Sequence, residues 1–136
     1  MYSEIIQKIV DLLKADKPTL GVEDIYFGEP MRWEKFPHIW VDLLDDNQAP
    51  RTTGEELHRM RFQIVVMVRA QTAADADKDV LEKAERVETV LKTKRTLDDL
   101  VRDSWVVLKE KRAGAMADYA VSGCRILFYC EKGVTS

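Results

Sequence analysis

An uninterrupted alternation of apolar residues between Arg59 and Ala70 constrains the fold more than any other feature of this sequence. Every second position of the stretch is apolar: Met60, Phe62, Ile64, Val66, Val68 and Ala70. Successive side chains of a β-strand point to opposite faces of a sheet, so these residues form one continuous apolar face. The sequence therefore predicts a long strand that packs against another layer of secondary structure.

Two other segments have the apolar spacing of amphipathic helices. The first, residues 3–13, carries Ile5, Ile6, Ile9, Val10 and Leu13, with Ser3 as the predicted N-cap and Pro18 beyond its end. The second, residues 75–92, carries Val80, Leu81, Ala84, Val87, Val90 and Leu91. Residues 96–99 predict a short helical turn with Leu97 facing inward.

Four further segments predict strands, at residues 22–27, 38–44, 104–112 and 118–131. The order of elements is α-β-β-β-α-β-β, and the 136 residues suffice for a single domain, 1–136. The predicted fold class is α+β, with a mostly antiparallel five-stranded sheet and two helices on one face.

Residues 45–58 predict a long polar loop, which is often functional in a compact domain. The loop carries four carboxylates: Asp45, Asp46, Glu55 and Glu56. Their spacing matches no calcium-binding loop, so we expect no metal.

The face of the sheet opposite the helices, called the second face below, is expected to be apolar in part. Its predicted apolar residues are Trp40, Leu44, Val65, Met67, Trp105, Val107, Val121, Leu127 and Tyr129, and its predicted basic residues are Arg59, Arg61, Arg69, Lys109 and Lys111. An exposed apolar patch of this size is a liability for a small monomer. Two interpretations remain open: the long loop or a strand twist covers it, or a second copy does.

Composition and motifs argue against catalysis and against nucleic-acid or membrane binding. The formal net charge is −3, and no apolar run is long enough to span a membrane. No phosphate-binding glycine loop, catalytic serine motif or Cys-x-x-Cys is present. Cys124 and Cys130 would lie roughly 20 Å apart on one strand, too far for a disulfide. We expect no enzyme activity and no cofactor, and the N-terminus lacks the pattern of a signal peptide.

One hypothesis from a different class stays open. A small ligand-binding protein or enzyme could form its site under the 45–58 loop, from His38, His58 and the acidic pairs. A capping or surface role is the simpler interpretation of both histidines.

The pattern over residues 4–131 resembles the tail-terminator and tail-completion proteins of long-tailed bacteriophages. An amphipathic helix precedes the short strand at residues 22–28, and Phe36-Pro37 stands before the second strand, as is often seen in that family. A long strand at residues 61–68, a charged helix at 79–92 and a final strand that includes 125–129 complete the resemblance.

The resemblance implies a ring, usually hexameric, that ends tail-tube polymerisation and joins the tail to the head connector. It implies tail-tube and head-connector partners, DNA that passes through the lumen without specific binding, assembly in the host cytoplasm and a place in the virion tail or neck. A head-completion or baseplate ring protein is the nearest alternative. We expect the loop to reach a neighbour and the arginines to pair with acidic groups of an adjacent copy. The predicted contact residues are Trp40, Leu44, Asp45, Asp46, Arg59, Arg61, Val65, Met67, Arg69, Leu127 and Tyr129.

Overall fold

The computed structural model describes residues 1–50, 54–116 and 118–135. Three helices and five strands lie in these ranges: α1 (Tyr2–Ala15), α2 (Lys17–Leu20), β1 (Asp24–Phe27), β2 (His38–Pro50), β3 (Glu55–Ala70), α3 (Ala73–Lys92), β4 (Asp103–Met116) and β5 (Tyr119–Thr135). The predicted α+β class and element order are confirmed. The four-residue helix α2 was not predicted, because so short a segment shows no periodicity.

The five strands form one mixed sheet in the order β1-β2-β3-β5-β4. Strand β1 is parallel to β2, and the other three pairs are antiparallel. The prediction of a mostly antiparallel sheet is therefore confirmed, with β1 and β4 as its two edges.

The core lies between the sheet and the helices. Helices α1 and α3 bury their apolar stripes against the face that carries Phe62, Ile64 and Val66, each fully buried. Fully burying a side chain of this size is worth roughly 1.5–3 kcal/mol before entropy costs. The apolar alternation of β3 thus forms the floor of the core, as its pattern predicts.

The predicted helix boundaries need two corrections. Helix α1 begins at Tyr2 rather than after Ser3. Helix α3 begins at Ala73 rather than Asp75, because the Thr72 side chain caps it by accepting a hydrogen bond from the Asp75 N–H. Pro18 lies beyond the end of α1, as predicted, in the first turn of α2.

The prediction of a long loop at residues 45–58 is wrong for the residues that the structure describes there. Asp45–Pro50 continue β2 and Glu55–His58 begin β3, and the two segments pair in register. Residues 51–53 lie outside the described residues. Most side chains of residues 45–50 are exposed, so the segment has a polar composition. A polar strand of this kind has the same composition as a loop. We call residues 45–50 and 55–60 the arm.

The predicted helical turn at residues 96–99 is also wrong. Leu97, Asp98 and Asp99 all have positive φ, so the chain turns left-handed there. Leu97 is nevertheless fully buried, as expected. Its burial, together with the ion pair of Asp98 with Lys8 of α1, outweighs the steric cost of left-handed residues.

Candidate functional site

Most of the predicted second-face residues do share the face opposite the helices. The register aligns Trp40 with Val65, Gln63 with Leu127, and Arg61 with both Asp45 and Tyr129. The register shifts at two places, between Leu43 and Asp45 in β2 and between Val106 and Leu108 in β4. Beyond each shift, the other set of alternate residues lies on the second face. A β-bulge inserts one residue and so reverses the alternation beyond it.

The bulge in β4 moves two predicted second-face lysines to the helix face. Lys109 lies 3.2 Å from Glu88 and Lys111 lies 3.1 Å from Asp77, and both carboxylates belong to α3. Leu108 takes the second-face position beside Leu127 instead. The prediction for these lysines was wrong because it assumed strict alternation through Val107. A bulge leaves no clear signal in the sequence.

The apolar centre of the second face is covered within the chain. Trp40, Val65, Met67, Val121 and Leu127 are only 6–9% exposed. Tyr26, Trp33 and Phe36 pack over the first four of them, and the Trp33 and Trp40 rings stack 5.9 Å apart. The cover is the connector between β1 and β2, which neither of the open interpretations anticipated.

His38 belongs to the same aromatic layer. It is fully buried, and its Nδ1 donates to the carbonyl of Lys35 at 2.8 Å. Burial lowers the pKa of His38, so the neutral ring is favoured. Its ring stacks on Trp40 with the ring centroids 5.7 Å apart, so it packs as part of this layer.

A groove of about 680 Å³ runs beside the connector on the second face. Its lining includes Trp33, Trp40, Met67, Gly123, Arg112 and Arg125. A Cβ at Gly123 would lie 2.7 Å from the Met67 sulfur, so the glycine makes room for that side chain. The Nε1 of Trp40 is buried and has no hydrogen-bond partner among the described residues. The groove could hold an apolar side chain, and its rim carries charges of both signs.

The three second-face arginines each have contacts within the chain. Arg61 binds Asp45 with two nitrogens, a pairing that lowers the pKa of Asp45 and raises that of Arg61. Arg59 lies 3.2 Å from Glu131. Arg69 lies over the rings of Phe36 and Tyr119 at 5.3 and 4.9 Å. Pairing with an adjacent copy stays a prediction.

Asp46 lies on the helix face, not on the second face. The bulge after Leu43 places it opposite Met60, and its side chain is only 7% exposed. Its Oδ2 accepts hydrogen bonds from Tyr2 Oη at 2.5 Å and from His58 Nδ1 at 2.7 Å. Its other oxygen, Oδ1, is buried without a hydrogen-bond partner among the described residues.

The ligand site predicted under the loop does not form. His38 lies opposite Met67, whereas His58 lies opposite Gln48, ten positions along β2 and about 33 Å away. The two histidines also face opposite sides of the sheet. Across residues 1–50, 54–116 and 118–135, no group of three or more His, Cys, Asp or Glu side chains could hold a metal ion. Cys124 and Cys130 are both free and buried.

The exposed apolar residues of the sheet include three that lie at its two bulges. Leu44 is half exposed beside the bulge of β2, and Val107 and Leu108 are half exposed at the bulge of β4. The contact residues predicted from the sequence include Leu44 but neither Leu108 nor Arg112. Both of these missed residues lie on β4, which is an edge strand of the sheet, and the sequence alone did not identify that edge.

Comparisons with solved structures find chains of similar fold, whereas the sequence comparisons find none. No protein-family model and no curated protein sequence matches the chain. A chain of a solved structure described as the virion of a native gene transfer agent (GTA) particle has a similar fold, with a TM-score of 0.61 and 16% sequence identity. The match covers 93% of this chain and 92% of the other. At this identity the likeness establishes the shared fold. Within the described residues, no helix is both long and apolar enough to cross a membrane.

Proposed function

We propose that this protein is a structural component of a phage or phage-like virion. The observation that carries the proposal is the fold shared with a virion chain along nearly the full length of both. The family resemblance noted from the sequence points to the same class independently of the structural comparison. A virion component acts by binding neighbours, which agrees with a site that consists of strand edges and a groove.

Within that class, the proposed role is a ring at the end of the tail tube. The ring terminates tube polymerisation and joins the tail to the head connector, so the protein resides in the tail or neck after assembly in the host cytoplasm. Six copies follow from the family resemblance. An acidic net charge of −3 supports a lumen through which DNA passes, since a basic lining would bind phosphates.

A head-completion or baseplate ring is the alternative role. One fold can serve several ring positions, and a likeness of fold does not distinguish them. The enzyme hypothesis loses its support, because its two histidines lie about 33 Å apart on opposite faces. No catalytic step is needed for the proposed role.

The first test is the mass of the protein in solution across a range of concentrations. Light scattering behind a sizing column should give about six copies, and negative-stain images should show rings. If the protein stays monomeric, the same measurement is repeated with isolated tail tubes, on which a ring should form. Monomers under both conditions would contradict the proposal.

A further inference from the structure

The sheet leaves two strand edges open on opposite sides. Strand β1 pairs with β2 only from His38 to Val41, and among the described residues no strand pairs with the outer side of residues 45–49. On the other side, β4 is the last strand of the sheet, and residues 108–112 follow its bulge. Open edges present unpaired N–H and C=O groups, which an added strand can satisfy.

The two open segments differ in charge. Residues 45–49 carry two carboxylates and no basic residue, whereas residues 108–112 carry three basic residues and one carboxylate. Like charges directly opposite each other destabilise a strand pair, so β4 against β4 or β2 against β2 is disfavoured. The charges favour β2 of one copy against β4 of the next.

The strand directions agree with this combination. The three strand pairs that connect β2 to β4 (β2–β3, β3–β5 and β5–β4) are all antiparallel. Strands β2 and β4 therefore run in opposite directions within one copy. Two copies in the same orientation therefore bring these edges together antiparallel. A contact between two different surfaces is heterologous, and repeating it produces a ring when the rotation closes.

We infer that residues 45–49 of β2 pair with residues 108–112 of β4 in a second copy, with Asp45 opposite Arg112. This inference rests on the proposed ring. This register keeps the faces of the sheet continuous: Asp45 and Arg112 both lie on the second face, and Asp46 and Lys111 both lie on the helix face. Among the registers that do so, it places opposite charges across from each other at these two positions. Ala49 then lies opposite Leu108, which places two exposed apolar side chains together.

Asp46 supplies a second, independent observation. Its Oδ1 is buried without a hydrogen-bond partner among the described residues, and its side chain is more than nine-tenths buried. In the inferred register, Lys111 of the second copy lies opposite Asp46 on the helix face. Its ammonium, paired with Asp77 in the single chain, would donate to this oxygen instead. A buried carboxylate oxygen gains most from a charged donor, because leaving it unpaired costs free energy.

The register also sets how the copies are displaced. Within one copy, the sheet aligns residue 45 with residue 129 of β5 and residue 49 with residue 133. It aligns residue 108 with residue 127 of β5 and residue 112 with residue 123. Each copy is therefore shifted about six residues along the strand, roughly 20 Å, relative to its neighbour. Such a stagger tilts the strands relative to the ring axis, as closing any sheet requires.

Disulfide cross-linking tests the register. In the variant Ala49→Cys with Leu108→Cys, mild oxidation should join copies into a ladder of dimers, trimers and larger species up to the ring. The matched control is Ala49→Cys with Leu81→Cys, whose second cysteine lies exposed on α3. The control should give no ladder. If the unmodified protein forms rings but the Ala49→Cys, Leu108→Cys variant gives no ladder, the edge pairing is overturned. The proposed function would still stand.

A charge reversal tests the same contact without cysteines. Arg112→Glu should raise the concentration needed for half-assembly at least about tenfold. Arg32→Glu is its control, since Arg32 and Arg112 are 84% and 81% exposed and each pairs with a glutamate two positions away. Equal assembly of the two variants would contradict the pairing. A cross-linked ladder without rings, even on tail tubes, would support the pairing and contradict the proposed ring function.

Discussion

The Nδ1 of His58 donates to Oδ2 of Asp46 at 2.7 Å, across the β2–β3 ladder at the base of the arm. The Tyr2 hydroxyl donates to the same oxygen at 2.5 Å, which connects helix α1 to the pair. The histidine is almost fully buried. One carboxylate therefore holds a strand, its neighbour and a helix together at the point where the arm leaves the core.

Asp46→Ala should destabilise the protein by about 1–3 kcal/mol, because it leaves the buried His58 N–H and the partly buried Tyr2 hydroxyl without their acceptor. Chemical denaturation followed by circular dichroism measures the change. Asp45→Ala is the control, since the adjacent carboxylate is 47% exposed and its pair with Arg61 is worth under about 1 kcal/mol. Equal losses for the two variants would contradict the structural role of Asp46.

Leu127→Asp should destabilise the folded chain itself rather than merely dissociate an assembly. Leu127 is buried within the single chain, so the change places a carboxylate in an apolar environment. Thermal unfolding should shift down by many degrees, as for a destabilisation of more than about 3 kcal/mol. Leu81→Asp on the exposed side of α3 should change little. A folded, fully stable Leu127→Asp monomer would mean that this side chain is buried by another copy instead.

Asp98 should contribute stability at neutral pH that disappears in acid. Hydrogen bonds from Lys8 and Lys94 lower the pKa of Asp98 to about 2. Because the pKa is lower in the folded protein than the ordinary value near 3.9, the contribution is present above about pH 4 and is lost as the pH falls toward 2. Asp98→Asn should therefore be less stable than the wild type at pH 6 and nearly equal to it at pH 2. A difference independent of pH, measured by urea unfolding, would argue against the ion pairs.

Both native thiols should resist labelling while the protein is folded. Burial raises the pKa of Cys130 to about 12 and also raises that of Cys124, so the reactive thiolate is scarce at pH 8. A thiol reagent should label neither cysteine in the native protein and both in denaturant. Rapid labelling of the native protein would contradict their place in the core.

The elements with strong periodicity could be predicted from sequence. Strand β3 and helices α1 and α3 each carry an apolar face that only one secondary structure satisfies. The arm could not be predicted, because an exposed polar strand has the composition of a loop. The pairing of its residues 55–60 with residues 130–135 of β5, distant in sequence, is what makes it part of the sheet.

The candidate site was predictable only in part. Alternation placed Val65, Met67 and Arg69 correctly, but the bulge of β4 reversed the predicted faces of Lys109 and Lys111. The cover of the second face depends on Trp33 and Phe36, whose packing follows from the path of the connector. Neither a bulge nor a connector path leaves a periodic signal in a single sequence.

The central claim, that this protein ends a tail tube, is tested most directly by the length of growing tubes. Purified tail-tube subunits are polymerised with and without the protein, and lengths and tube ends are recorded in negative-stain images. The account predicts that elongation stops and that a ring is visible at one end of each tube. Tubes that grow to the same length with bare ends, at concentrations where the protein itself is folded, would contradict it.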